Sequence, residues 1–275
     1  MPAPFFSSDH LGYAVYSFET GEPLKPADLS PGHMRSLGEF AAALHQIMPR
    51  GAIAELPTTI SPTLSVAEQL RRIEDRLAAF ERAAADAAAP CGVRALAAEL
   101  PLRDRLTSLI ARAVAGLSPV EPQRELPPDA RRLTSGDFGA HNLLVSAAGE
   151  LTVIDWEWAG WDDPAQLVIG FVAHGGSEGL APAAAAAFLA AYVATVGLSA
   201  SEIARFERLG RLLDTEWVAT YASALAPEVL NARRFAVAGF DAAVYVATVA
   251  EQLRVRLKRA ARGRGYRFPR PRRAP

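Results

Sequence analysis

The chain has 275 residues, half of them hydrophobic, and a formal net charge of −1. That length supports one large domain or two modest ones with a sizeable core, which excludes a disordered or fibrous protein. The lone Cys91 excludes an intrachain disulfide framework and a cysteine-based zinc site. No long apolar run is free of charges and prolines, so no membrane span is expected. Met1-Pro2-Ala3-Pro4 lacks the basic-then-apolar pattern of a signal peptide, and a cytoplasmic location is the simplest expectation. The charge is unevenly placed. Arg254 to Pro275 holds ten basic and no acidic residues, leaving 19 basic against 30 acidic residues elsewhere, a net of −11. Only two of the basic residues are lysines, Lys25 and Lys258.

Residues 4–19 read as a strand, a turn at Ser7-Ser8-Asp9, and a second strand from Gly12 to Phe18. Ser30-Pro31 is a helix N-cap with proline at the first helical position. The helix it opens places Met34, Leu37, Ala41, Leu44 and Met48 on one face. Ser65 to Glu68 is a capping box ahead of a stripe of Val66, Leu70, Ile73, Leu77 and Phe80. A further helix is expected over roughly 93–116, then a loop over 118–130 with four prolines. Leu143 to Val145 and Leu151 to Ile154 form a hairpin around Ala147-Ala148-Gly149-Glu150. Beyond Asp163-Pro164 the chain reads as helical, with a capping box at Ser199 to Glu202 stapled by Leu198 and Ile203.

Polar residues interrupt the apolar pattern at the hairpin. A turn centred between Ala148 and Gly149 sets Asn142 directly opposite Asp155, with Cβ atoms about 4.5–5.5 Å apart. A carboxylate and an amide oxygen at that spacing suit one hard cation, Mg²⁺ with phosphates being the usual case. The loop from Asp137 to His141 can return a second carboxylate to the same rim.

Three segments together, Ser-Gly-Asp137-Phe-Gly-Ala-His-Asn142, Val-Ile-Asp155-Trp-Glu and Gly160-Trp-Asp-Asp163-Pro, resemble the aminoglycoside phosphotransferase-like kinase family. Its members are protein-kinase-like enzymes that phosphorylate small molecules. The resemblance makes Asp137 the catalytic base, and gives Asn142 and Asp155 the metal on the nucleotide phosphates. Asp137-Phe138-Gly139 also spells the D-F-G in which an Asp holds the metal. Spacing rejects that reading, because Asp129, the nearest upstream candidate base, has Thr134 and not Asn five residues on. Gly12 to Gly21 resembles the strand and hinge between lobes, where backbone groups of Ser17, Phe18 and Glu19 would bind adenine. Leu37 to His45 resembles the first helix of the large lobe.

Two departures stand out. The histidine usual before the Gly-Asp of the catalytic loop is Ser135 here, and no Gly-rich loop or lysine precedes the hinge. The expected fold is therefore α+β and protein-kinase-like. It comprises a truncated N-terminal lobe and hinge (1–19), a large, mostly helical C-terminal lobe (20–262), and a basic, disordered tail (263–275). The implied function is transfer of the γ-phosphoryl group of ATP or GTP, with Mg²⁺, to a hydroxyl of a small molecule. The alternative is a catalytically degenerate binding module. Nucleic acid is suggested by the tail alone, and an uncovered sheet edge would favour a homo-oligomer. Asp163 is expected to cap the helix at Pro164, Asp162 and Glu157 to face a pocket or solvent, and His45 and His141 to be structural. The five scattered histidines give no zinc pattern.

Overall fold

The computed structural model describes residues 3–8, 13–263, 266, 268 and 269. In chain order its elements are β1 (Pro4–Ser8), β2 (Tyr13–Tyr16), β3 (Glu22–Pro23), α1 (Pro31–Gln46), α2 (Val66–Ala85), α3 (Cys91–Glu99), α4 (Leu102–Val114), β4 (Arg132–Thr134), β5 (Leu143–Val145), β6 (Leu151–Val153), β7 (Gly160–Asp162), α5 (Pro164–Ala173), α6 (Pro182–Val196), α7 (Ala200–Ser223), α8 (Pro227–Ala236) and α9 (Ala242–Arg262). The class is α+β, with long helices and short strands.

Side-chain caps set several helix starts. Ser30 Oγ accepts from the His33 amide at 3.1 Å, with Pro31 in the first turn. Ser65 Oγ accepts from the Glu68 amide, while Glu68 reaches back to the Leu64 amide, one residue further than a capping box requires. Ser199 and Glu202 close a reciprocal box, with Leu198 and Ile203 buried as its staple. Each such cap contributes on the order of 1 kcal/mol. The single helix expected over 93–116 is two, α3 and α4, broken at Leu100-Pro101. Proline has no amide hydrogen and its ring clashes with the preceding turn, so the helix stops there.

The chain divides into two compact units. The first comprises Met1–Pro62, Leu126–Ile203 and Arg267–Pro275. In it β1 and β2 pair antiparallel, from Pro4 with Tyr16 to Ser8 with Tyr13. Asp9 and Gly12, expected in the turn and at the second strand's start, lie outside the described residues. A three-stranded antiparallel sheet has the order β3-β5-β6, and β4 pairs antiparallel with β7. Helix α1 crosses α6 so closely that a Cβ on Gly38 would lie 2.5 Å from the Phe188 carbonyl oxygen. Met34, Leu37, Phe138, Leu167, Phe171 and Phe188 are buried in this unit. The rings of Phe138 and Phe171 stand 4.9 Å apart, and those of Phe171 and Phe188 stand 5.0 Å apart.

The second unit comprises Thr63–Glu125 and Ala204–Tyr266. Its core joins Ile73, Leu77 and Phe80 of α2 to Val93, Leu96, Leu106, Val218, Val249 and Leu253. Buried Glu216 gathers Gln69, Arg72 and Arg76. Of the basic tail, Gly263, Tyr266, Phe268 and Pro269 are described, and the disorder expected for the other residues lies outside the described part. Tyr266 is buried, donates to Asp214 Oδ1 at 2.8 Å and accepts from Arg259 at 3.0 Å. Among the described residues no helix is long and apolar enough to cross a membrane.

Candidate active site

The hairpin β5-β6 forms where expected, but one residue out of register. Leu143 faces Val153, Leu144 faces Thr152 and Val145 faces Leu151. Asn142 therefore stands across from Ile154, whose amide donates to the Asn142 carbonyl at 3.0 Å, and not across from Asp155. The cause is Gly149. It adopts φ +82°, so the turn holds three residues, with Gly149 N–H bonded to Ser146 O and Ser146 N–H to Glu150 O. This is the type I turn plus left-handed residue that shifts pairing by one.

Asp155 lies just past the paired strands, where its charge acts on His141. It is exposed, follows β6, and has φ +63°, the one positive φ at a non-glycine among the described residues. A left-handed Asp costs about 1–3 kcal/mol, and such strain concentrates at working sites. Asn142 is buried and closes the loop that Asp137 opens. Its Nδ2 donates to Asp137 O at 2.9 Å and lies 3.3 Å from Asp137 Oδ2. That leaves Oδ1 as the amide's ligand oxygen. An amide oxygen and a carboxylate are hard donors, so Asn142 and Asp155 fit Mg²⁺.

The loop itself is pinned at several points. Gly136, at φ +80°, passes so close to the Trp158 carbonyl that a Cβ would lie 2.2 Å from its oxygen. Phe138 plugs the core, so Asp137 between them is held with its carboxylate about one-third exposed. The Ala140 amide donates to Ser177 Oγ at 3.1 Å. Two histidines that the sequence leaves unconnected meet at Asp137: His174 Nε2 lies 2.7 Å from Oδ1 and His141 Nε2 lies 3.2 Å from Oδ2. Hydrogen bonds from His141 and then His174 hold the Asp137 carboxyl far below the usual carboxylate range, against the upward push of burial. In return, Asp137 raises the His141 imidazole above its ordinary value, burial opposes this, and the charge of Asp155 adds to the rise. No local spacing signals His174, because it lies at the far end of α5, 37 residues after Asp137.

The neighbouring acids take structural roles. Asp163 Oδ1 accepts from the Ala165 amide and caps α5, as expected. Asp162 faces neither pocket nor solvent; it is buried and accepts from Thr59 Oγ1 at 2.8 Å and from the Asp163 amide at 2.7 Å. Glu157 is exposed. At the expected hinge, Ser17 N–H donates to Ala3 O at 2.8 Å, Ser17 Oγ donates to Glu19 at 2.6 Å, and Phe18 is almost fully exposed. Three residues on, β3 pairs Glu22 with Val145 and Pro23 with Leu144, which ties the segment after the hinge to the hairpin.

A family model described as the phosphotransferase enzyme family (APH) matches residues 1–206. The chain belongs to the phosphotransferase enzyme family. Solved structures share the fold of this phosphotransferase-family chain at low identity. A choline/ethanolamine kinase family protein from Mesorhizobium loti is 17% identical, with a TM-score of 0.55 over 95% of this chain and 76% of that one. The spectinomycin phosphotransferase APH(9)-Ia, solved with ADP and spectinomycin, is 12% identical, with a TM-score of 0.61 over 90% and 71%. A choline kinase from Cryptosporidium parvum is 12% identical, with a TM-score of 0.52 over 90% and 72%. No protein of curated function matches the sequence. The fold of this family member is protein-kinase-like, in line with the class expected from its motifs.

Proposed function

We propose that the chain transfers the γ-phosphoryl group of ATP or GTP to a hydroxyl of a small molecule. The observation that carries this reading is the closed loop from Asp137 to Asn142, beside a hairpin that presents Asp155 in a left-handed conformation. Asp137 accepts a hydrogen bond from the acceptor hydroxyl and aims its oxygen in line with phosphorus. Because its carboxyl is held far below the usual range, Asp137 is a weak base. It orients the hydroxyl first and takes the proton as the new P–O bond forms and the bond to the leaving diphosphate breaks. Asn142 and Asp155 would hold Mg²⁺, which when bound would neutralise phosphate charge. At the hinge the Ser17 amide is already taken up by Ala3, so Phe18 and Glu19 supply the backbone groups for the base. The acidic body suits a cationic acceptor, an amino sugar or a quaternary-amine alcohol.

A second reading rests on one observation: residues 1–24 contain no lysine to steady the phosphates. On that reading the chain binds nucleotide without turning it over. Calorimetric titration with ATP, with and without Mg²⁺, tests both. Mg²⁺-dependent binding is expected, weakened about tenfold or more by Asn142→Ala or Asp155→Ala. Absence of binding up to millimolar nucleotide overturns both readings.

A further inference from the structure

We infer that His174 and His141 are positioning residues that clamp the Asp137 carboxylate from both sides, with His174 locked as a hydrogen-bond donor. This rests on Asp137 being the base. The lock is read from the ring of His174. Its Nδ1 accepts from the Gly176 amide at 2.9 Å, so Nδ1 carries no proton and the neutral ring has its hydrogen on Nε2. That hydrogen points at Asp137 Oδ1, 2.7 Å away. On the other oxygen His141 Nε2 is the donor, since an ionised carboxylate only accepts. The two imidazoles stack at 4.9 Å between centroids, with 17° between their planes.

The backbone is cut to fit the pair. A Cβ on Gly139 would lie 2.5 Å from His174 Nδ1 and 2.6 Å from His141 Nδ1, and one on Gly176 would lie 2.0 Å from His141 Nδ1. Neither glycine has positive φ, so space for the rings, and not backbone conformation, is what a side chain there would remove. The turn after α5 is thereby joined to the catalytic loop twice, through His174 and through Ser177 on the Ala140 amide. Ser135, two residues before the Asp, gives the loop no such support: its buried Oγ makes no hydrogen bond. The clamp is asymmetric. His174 is mostly buried and bonds tightly, whereas His141 is more than two-fifths exposed and its bond is long. Oδ1 is thus held by one short bond from His174, and Oδ2 by two long ones, from His141 at 3.2 Å and Asn142 at 3.3 Å.

One carboxylate and two imidazoles within 4.8 Å also have the composition of a transition-metal site. The tautomer argues against it. A metal-binding imidazole donates its second N–H outward, but His174 accepts there, and its Nε2 lone pair is occupied by a proton.

Long-range ¹H–¹⁵N spectra of the imidazoles in the full chain at pH 8 test this directly. The expected pattern for His174 is protonated Nε2 and bare Nδ1, unchanged by equimolar zinc chloride. Protonated Nδ1, or a shift of both rings on zinc addition, overturns the clamp. Two variants separate positioning from mere structure. His174→Gln keeps a donor near Nε2, and His174→Asn keeps an acceptor for Gly176 but loses that donor. ADP release from Mg·ATP with amino-alcohol acceptors should fall about 10- to 100-fold in kcat for His174→Asn with KM little changed, and recover largely in His174→Gln. Equal losses, or none, overturn the proposal. If Asp137→Ala keeps wild-type turnover, or no turnover is seen at all, the base assignment fails separately, and the spectra still decide the clamp.

Discussion

Removing the Glu216 carboxylate should cost more stability than most single changes in this chain. The residue is 5% exposed on α7. It accepts from Arg72 Nε at 2.9 Å, Arg76 Nη1 at 2.5 Å and Gln69 Nε2 at 3.0 Å. Glu216→Ala takes the shared acceptor from two guanidinium groups and an amide, although Arg72 keeps Thr63 Oγ1 at 2.6 Å, and breaking a buried pair costs about 3–5 kcal/mol. Arg72 and Arg76 are 18% and 29% exposed and can recover some hydration, which places the loss near the lower end, about 3 kcal/mol. Glu216→Gln keeps the shape and one acceptor and should cost about 1.5–3 kcal/mol. The loss should also depend on pH. Burial pushes the Glu216 carboxyl up, and Arg72, followed by Arg76, outweighs this and holds it below the ordinary carboxylate range. A lowered folded-state value means stability that is present above the unfolded value and lost as pH falls through the folded one. The gap between wild type and Glu216→Gln should therefore be full at neutral pH and narrow below about pH 4. Urea unfolding of the full chain at both pH values measures it. A loss under about 1 kcal/mol for Glu216→Ala, or a gap that does not change with pH, refutes this account.

Three further outcomes follow from the first unit. Burial, helped by Arg132 and opposed by Glu202, lowers His45 to about 4, and its Nδ1 lies 2.6 Å from the Tyr192 hydroxyl. The unfolded chain takes up this proton first as pH falls, so stability drops between about pH 6.5 and 4, and His45→Gln should flatten that slope in thermal melts. Gly136→Ala combines a positive φ with a clash on the Trp158 carbonyl, and should lower the urea midpoint by the equivalent of about 2 kcal/mol or more. Asp155→Gly relieves the strained backbone while deleting the proposed ligand, so it should raise the melting temperature while weakening Mg·ATP binding. A stabilised variant with unchanged nucleotide affinity would remove Asp155 from the metal site.

Local chemistry made much of the fold legible. Ser30, Ser65 and Ser199 mark helix starts through caps that need only neighbouring residues. Misreadings came where one residue redirects the chain. Gly149 lengthens the turn and moves the hairpin by one, and Pro101 splits a helix whose apolar stripe runs on. The pair β4-β7 was hidden because Arg132–Thr134 and Gly160–Asp162 are not apolar runs and no tight turn joins them, unlike the equally short β5 and β6. At the candidate site, the spacing of Asp137 and Asn142 was readable because one loop holds both. The convergence of His174, Ser177 and Thr59 on this region was not, because it depends on how α5 and the segment before α2 pack in three dimensions.

Phosphorus NMR tests the central claim most directly. The chain is mixed with Mg·ATP and a pool of amino-sugar and quaternary-amine alcohols, and the γ-phosphate signal is followed. The account predicts a phosphomonoester resonance growing at the expense of the γ-phosphate, abolished by Asp137→Ala, with Mg·ATP binding retained in that variant. A new ester signal that persists in Asp137→Ala contradicts it.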